Sequence, residues 1–318
     1  MITTPLDPEL AHLADLDVGF DGDTFDVAGI RSGILELIQP PPPLDGVVTD
    51  RRPIRSSPPL EVEVCSPETA GPTGPRPCLL WLHGGGYVIG SAGMDALRLQ
   101  TWAARFDCLT VSTEYRLAPE DPFPAAHDDA MRALGWLVEG ADELGVDPGR
   151  IVVAGASAGG GLAAGVALAA RDQGIPLAGQ LLFYPMIDDR QQTASSRWEA
   201  PVWPPKANNF GWRAYLGDLY GGEVPPYAAP ARATDVRGLP RSLLIVGGAD
   251  GFFDETVSYA SRLAHAGVST DLRVYAGAPH GFDLMAPDAS ATREALRDAE
   301  IWLERVFTAP RVGQAAQV

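Results

Sequence analysis

Short apolar runs alternate with stretches of helical periodicity through the middle of the chain. The runs CLLWLH (78–83), CLTVSTEY (108–115), RIVVAG (150–155), GQLLFYP (179–185), SLLIVGG (242–248) and LRVYAG (272–277) are rich in Leu, Ile and Val without a regular polar alternation. Strands of that kind hide both faces, as in a parallel sheet covered by helices. Between them, residues 92–106 and 125–139 place apolar residues three and four apart, and 254–266 and 290–307 read as two further amphipathic helices. The small residues of GGGLAAGVALAARDQG (159–174) would let a helix pack closely on the sheet. Upstream, LEVEVCSP (60–67) alternates apolar and polar, as a half-exposed antiparallel edge strand does, and VVTDRRP (47–53) is placed to pair with it. The pattern predicts an α/β fold, doubly wound around a mostly parallel central sheet.

Two stretches break the alternation. Residues 1–39 predict two helices, stopped by the run QPPPP at 39–43. Residues 190–230 concentrate aromatic side chains (Trp198, Trp203, Trp212, Tyr215, Tyr220 and Tyr227), which suits either a cap over a site or a surface packing layer. A chain of 318 residues holds one large α/β domain with an accessory piece, or two ordinary domains. The formal net charge of −17 opposes binding to nucleic acid and to anionic membrane surfaces. The N-terminal stretch lacks a basic leader and is broken by acids, so neither a signal peptide nor a membrane span is expected there. Cys65, Cys78 and Cys108 have no metal-ligand spacing and read as structural thiols of a cytoplasmic protein.

The chemistry starts at Ser157. It lies in G-A-S-A-G (155–159), directly after the strand RIVVAG and before a helix, where a nucleophile on a tight turn requires small flanking residues. The helix that follows aims its amino end at developing negative charge. A second signal is HGGGYVIG (83–90) at the end of CLLWLH, because acyl transfer needs unshielded backbone N–H groups to hold an oxyanion. A serine needs a base, and the chain has five histidines. His83 opens the glycine loop and, with Gly84, is expected to support it; His12, His127 and His265 lie in helical segments. His280, in the loop APHGF after the strand LRVYAG, has both the position late in the chain and the strand-end loop that a base requires. Three places compete for the acid: Asp250 directly after SLLIVGG, Asp188 (with Asp189) after GQLLFYP, and Asp254, which is expected to cap the helix DETVSYASRL.

These residues carry a family resemblance. HGGG (83–86), EYRLAPEDPFPAA (114–126), GASAGG (155–160), YAAPARATDVRGLP (227–240), DGFFDE (250–255) and PHGF (279–282) occur in the order of the bacterial hormone-sensitive-lipase-like esterases of the α/β-hydrolase fold, across residues 45–307. The chain resembles that family. The resemblance implies Ser157 as nucleophile, Asp250 as acid, His280 as base, and an oxyanion hole from the amides of Gly85, Gly86 and Ala158. It also implies a catalytic core of residues 46–189 and 226–318 beneath a discontinuous helical cap of 1–45 and 190–225, and short acyl esters as substrates. Ala156 stands where the family often has Asp, and Gly251 and Phe252 depart from its D-P-L-x-D-E motif. The expected activity is a serine carboxylesterase without metal or organic cofactor, acting on a small-molecule ester. An amidase, peptidase or lactonase with the same triad, or a non-catalytic binding protein on the scaffold, stays open, as does a homodimer.

Overall fold

The computed structural model describes residues 5–16, 26–37, 42–54, 57–68 and 74–309. Among these, the strands are β1 (Val47–Ile54), β2 (Leu60–Pro67), β3 (Arg76–Leu82), β4 (Leu109–Thr113), β5 (Val146–Ala156), β6 (Gly179–Phe183), β7 (Ser242–Gly247) and β8 (Thr270–Tyr275). The helices are α1 (Val27–Leu37), α2 (Ala96–Phe106), α3 (Ala125–Glu139), α4 (Ala141–Leu144), α5 (Ala158–Asp172), α6 (Pro205–Leu216), α7 (Phe253–His265), α8 (Phe282–Met285) and α9 (Ser290–Thr308). The strands form one sheet in the order β1-β2-β4-β3-β5-β6-β7-β8. The pairs β1/β2 and β2/β4 are antiparallel and every other pair is parallel, so the alternating segments at 47–53 and 60–67 do form the antiparallel edge.

The continuous apolar runs follow from burial on two sides. Leu80, Val111, Val153, Leu182 and Leu244 join the core under α3, α5 and α7. Their chain neighbours Leu79, Trp81, Val152, Leu181 and Leu243 join the core under α2 and α9. Helix α5 is buried along nearly its whole length, and its small residues permit close approach: a Cβ on Gly165 would stand 2.4 Å from the carbonyl oxygen of Tyr227.

The first N-terminal helix differs in kind from the expectation. Pro8–Asp15 winds as a 3-10 helix that buries Leu10 and Leu13. Apolar residues three apart share one face at three residues per turn, which explains the tighter winding. The Asp7 N–H donates to the Gly277 carbonyl at 3.0 Å, tying this segment to the end of β8. The second expected helix is α1; the proline run meant to stop it begins outside the described residues. Among the described residues, no helix is long and apolar enough to cross a membrane.

Parallel strands leave their carboxyl ends on one edge, where the loops of an open α/β sheet gather functional groups. Here that edge carries the loop after β3 (His83–Gly86), the β5–α5 junction (Ser157), the loop after β7 (Asp250) and the loop after β8 (His280).

Candidate active site

Ser157 sits between the last residue of β5 and the first of α5, with φ +57° and ψ −120°. A non-glycine residue in that region is strained and stays only when its surroundings over-determine it. Here they do: the Ser157 N–H donates to the Phe183 carbonyl at 2.9 Å, and its own carbonyl accepts from the N–H groups of Met186 (2.9 Å) and Gly161 (3.0 Å). The flanking glycines answer to crowding by main chain. A Cβ on Gly155 would lie 2.3 Å from the Gly159 carbonyl oxygen, and one on Gly159 would lie 2.0 Å from that of Leu82 and 2.3 Å from that of His83.

The Ser157 Oγ lies 2.9 Å from His280 Nε2, and His280 Nδ1 lies 2.9 Å from Asp250 Oδ2. The three residues are 5 %, 5 % and 1 % exposed. Asp250 accepts a second bond at Oδ1, from the Phe252 N–H at 2.9 Å, which fixes the plane of its carboxylate. The rival acids have other partners. Asp188 is paired with Arg190, and Asp189 forms a two-point pair with Arg232. Asp254 does not cap α7, whose N-terminus has no side-chain cap. Its Oδ2 accepts the Ser195 N–H at 2.8 Å, and its own N–H donates to Ser195 Oγ at 3.0 Å. The carboxylate is taken by the 190–225 insertion, which offers it a buried donor that local sequence does not reveal.

The loop after β3 turns through Gly85 (φ +113°) and Gly86 (φ +58°). The Val88 and Ile89 N–H groups donate to the Gly85 carbonyl at 3.0 Å, closing the turn. Within the described residues, the backbone N–H groups of Gly85, Gly86 and Ala158 donate to no protein acceptor. Ala158 is the first residue of α5, where such donors and the helix dipole favour an anion. His83 does not reach Ser157. Its Nδ1 donates to the Gly84 carbonyl at 2.7 Å, its ring stacks on Tyr115 at 4.0 Å, and the Tyr115 hydroxyl donates to the His83 carbonyl at 2.7 Å. Burial pushes the His83 imidazole down to about 4, outweighing the pull of its bond to Gly84 and of Asp95, so it is neutral near pH 7.

Further residues surround this arrangement. Tyr184 and Phe252 meet the His280 ring in T-shaped contacts at 4.7 and 4.9 Å, and the Trp203 ring lies 6.3 Å from it. The six-membered ring of Trp203 covers Gly86 so closely that a Cβ there would stand 2.3 Å away. Arg31 of α1 donates to the carbonyls of Val88 (2.8 Å) and Ala118 (2.9 Å) and pairs with Glu120. Glu255, the last residue of DGFFDE, accepts the Ile187 N–H at 2.9 Å, and burial raises its carboxyl well above the usual range. The aromatic richness of 190–230 signals Trp203, and the DGFFDE motif contains Phe252 and Glu255; nothing local marks Tyr184.

A family model described as the alpha/beta hydrolase fold matches residues 79–284. The chain belongs to the α/β-hydrolase family, in its hormone-sensitive-lipase-like branch. Esterase LipI of Mycobacterium tuberculosis is 36% identical over 240 residues, which span 74% of this chain and 75% of that protein. Carboxylesterase NlhH of the same species is 37% identical over 223 residues, 67% of this chain and 70% of its own. Among solved structures, a bacterial heroin esterase matches this α/β-hydrolase with a TM-score of 0.89 at 36% identity, over 96% of this chain and 98% of that one. Esterase LipW from Mycobacterium marinum matches at 0.86 and 34% identity, over 97% and 100%.

Proposed function

We propose that this protein, a carboxylic ester hydrolase of its family, cleaves short acyl esters through an acyl-enzyme on Ser157. His280 Nε2 takes the serine proton as Oγ attacks the ester carbonyl. Asp250 holds the other ring nitrogen protonated and stabilises the imidazolium that forms. The amides of Gly85, Gly86 and Ala158 receive the oxyanion, with His83 and Gly84 bracing the glycine loop. His280 then hands its proton to the departing alcohol, and water repeats the sequence to release the acid. The observation that carries this is the unbroken line Ser157 Oγ, His280 Nε2, His280 Nδ1, Asp250 Oδ2, with 2.9 Å at each contact.

Residues 1–45 and 190–225 would form the cap, and one described contact from each supports this: Arg31 bonds to Val88 of the oxyanion loop, and Gly211 of α6 packs so near the Gly86 carbonyl that a Cβ would lie 2.8 Å from it. With Trp203 over Gly86, the space above the reacting carbon is walled by aromatic surface, which favours acyl chains of about two to six carbons. The thiols of Cys65, Cys78 and Cys108 are free and buried, which fits a reducing, cytoplasmic setting.

The test is a panel of p-nitrophenyl esters from acetyl to palmitoyl beside matching anilides, with wild type and Ser157→Ala. Activity on the short esters, its loss by roughly four to six orders of magnitude in the variant, and a fluorophosphonate adduct on Ser157 are expected. Faster turnover of palmitoyl esters overturns the chain-length claim, and preference for anilides overturns the ester claim.

A further inference from the structure

The two hydrogen bonds of His280 leave one freedom unset. Both lie in the ring plane, at Nδ1 and Nε2, so the imidazole can still tilt about the line joining its partners. What meets the ring beside that line is the Tyr184 side chain at 4.7 Å, with the rings at 66°, and Phe252 on a second contact.

Tyr184 is itself held with unusual firmness. It follows β6 directly, takes φ +33° although it is not glycine, and donates its N–H to the Ile245 carbonyl at 2.6 Å. Its hydroxyl donates to Asp283 Oδ1 at 2.5 Å. Asp283 lies three residues beyond His280, on α8, with its side chain wholly buried, and its second oxygen pairs with Arg98 of α2 at 2.5 Å. The Arg98 guanidinium lies over the rings of Trp81 (5.2 Å) and Phe183 (5.0 Å), and 3.6 Å from Asp95, which accepts the Trp81 indole N–H at 2.8 Å. Ionic groups buried this deeply are a poor source of stability compared with apolar residues of the same shape. Their layout has a different result: the middle member, Asp283, lies on α8 three residues past His280, Arg98 of α2 holds it from one side, and Tyr184 on the other side bears on the His280 ring.

We propose that Tyr184, Asp283 and Arg98 form a positioning chain that sets the tilt of the His280 imidazole toward Ser157. Arg98 anchors Asp283, Asp283 anchors the Tyr184 hydroxyl, and the Tyr184 ring limits the tilt of the base. None of the three touches the reacting atoms. The proposal rests on His280 being the base, and its experiment separates the two claims.

Tyr184→Phe removes one oxygen and keeps the ring, so the ring loses its tether without loss of packing volume. Its kcat should fall about tenfold with KM unchanged, and Asp283→Ala should lose about a hundredfold, the scale of a small misplacement in an active site. The rate of Ser157 modification by a fluorophosphonate should fall in step, since it reads the assisted nucleophile without an acyl substrate. Arg98→Lys should recover much of what Arg98→Met loses. A purely structural role predicts a lower Tm but, at temperatures where the variants are folded, kcat and modification rates like those of wild type. That result overturns the proposal, as does a rise in KM at constant kcat. If Asp283→Ala does not fold, Tyr184→Phe decides alone. A wild-type enzyme that neither hydrolyses esters nor takes the label on Ser157 removes the underlying assignment, and the proposal with it.

Discussion

Replacing Asp250 with asparagine exchanges one oxygen for an NH2 group and tests the geometry severely. Asp250 Oδ1 accepts the Phe252 N–H and Oδ2 faces His280 Nδ1, each at 2.9 Å. An asparagine keeps its carbonyl against Phe252 and turns its NH2 toward the imidazole. Because NH2 only donates, Nδ1 must then be unprotonated, and the ring proton moves to Nε2, which faces Ser157 Oγ. Nε2 can no longer accept the serine proton. Flipping the amide would set its NH2 against the Phe252 N–H and leave a buried donor without a partner, at about 1–3 kcal/mol. With the side chain 1 % exposed, water gives little relief. The wrong tautomer therefore prevails, and even the flipped minority lacks the carboxylate charge that stabilises the imidazolium, so the loss should approach ten-thousand-fold in kcat, as in a comparable triad, or about 5.5 kcal/mol of barrier. The assay is kcat and KM on p-nitrophenyl butyrate with a melting curve for Asp250→Asn, Asp188→Asn and Asp254→Asn. Asp250→Asn should keep its fold and its KM. If it retains more than about a tenth of the activity, or if Asp188→Asn is the nearly dead enzyme, the assignment is wrong.

Three further outcomes are expected. Gly159→Ala presses a methyl group onto two backbone carbonyls and should lower stability by about 3 kcal/mol or more; an unchanged Tm would contradict the crowding at the elbow. His83 sits near 4 when folded against 6.5 when unfolded, so between those values the unfolded chain binds more protons and stability falls as pH drops. His83→Gln should remove a pH-dependent loss of about 2 kcal/mol, read as the difference between the two proteins' melting curves at pH 7 and pH 4.5, and added imidazole should not rescue its ester turnover. Asp254→Ala deprives the Ser195 N–H of its acceptor and should cost about 1–3 kcal/mol and raise KM; a fall in kcat of several orders would instead make Asp254 the acid.

What local signals encode was readable in the chain. Continuous apolar strands, helical spacing at 125–139 and the HGGG and G-A-S-A-G runs all depend on neighbours within a few residues, and the sheet and helices follow them closely. Strand β5 departs at its start. Val146 pairs with Arg76, and the register then slips before Ile151 pairs with Cys78, because Asp147 folds an Asx-type turn onto the Gly149 N–H inside the strand. Asp254 differs from its expected role for a related reason: its position suits a cap, but its donor Ser195 lies 59 residues away. The chain from Arg98 to Asp283 spans 185 residues and shows no period or motif. Partners that distant are fixed by the sheet order, which no single window of sequence contains.

The glycines at 155 and 159 have a consequence for how this enzyme could change. The backbone of the nucleophile turn lies directly against the carbonyls of Leu82 and His83, with no side chain between them. The spacing from nucleophile to glycine loop is thus a main-chain dimension, as fixed as a bond length compared with anything a rotamer could alter. Variation has little to act on at that seam, since any added atom collides. It has far more freedom in residues 190–225, where Trp203 rests on Gly86 from outside the seam. A mutagenesis library meant to move the substrate range should therefore diversify the aromatic insertion and hold residues 82–86 and 155–161 constant, so that new pockets arise above chemistry whose distances stay the same.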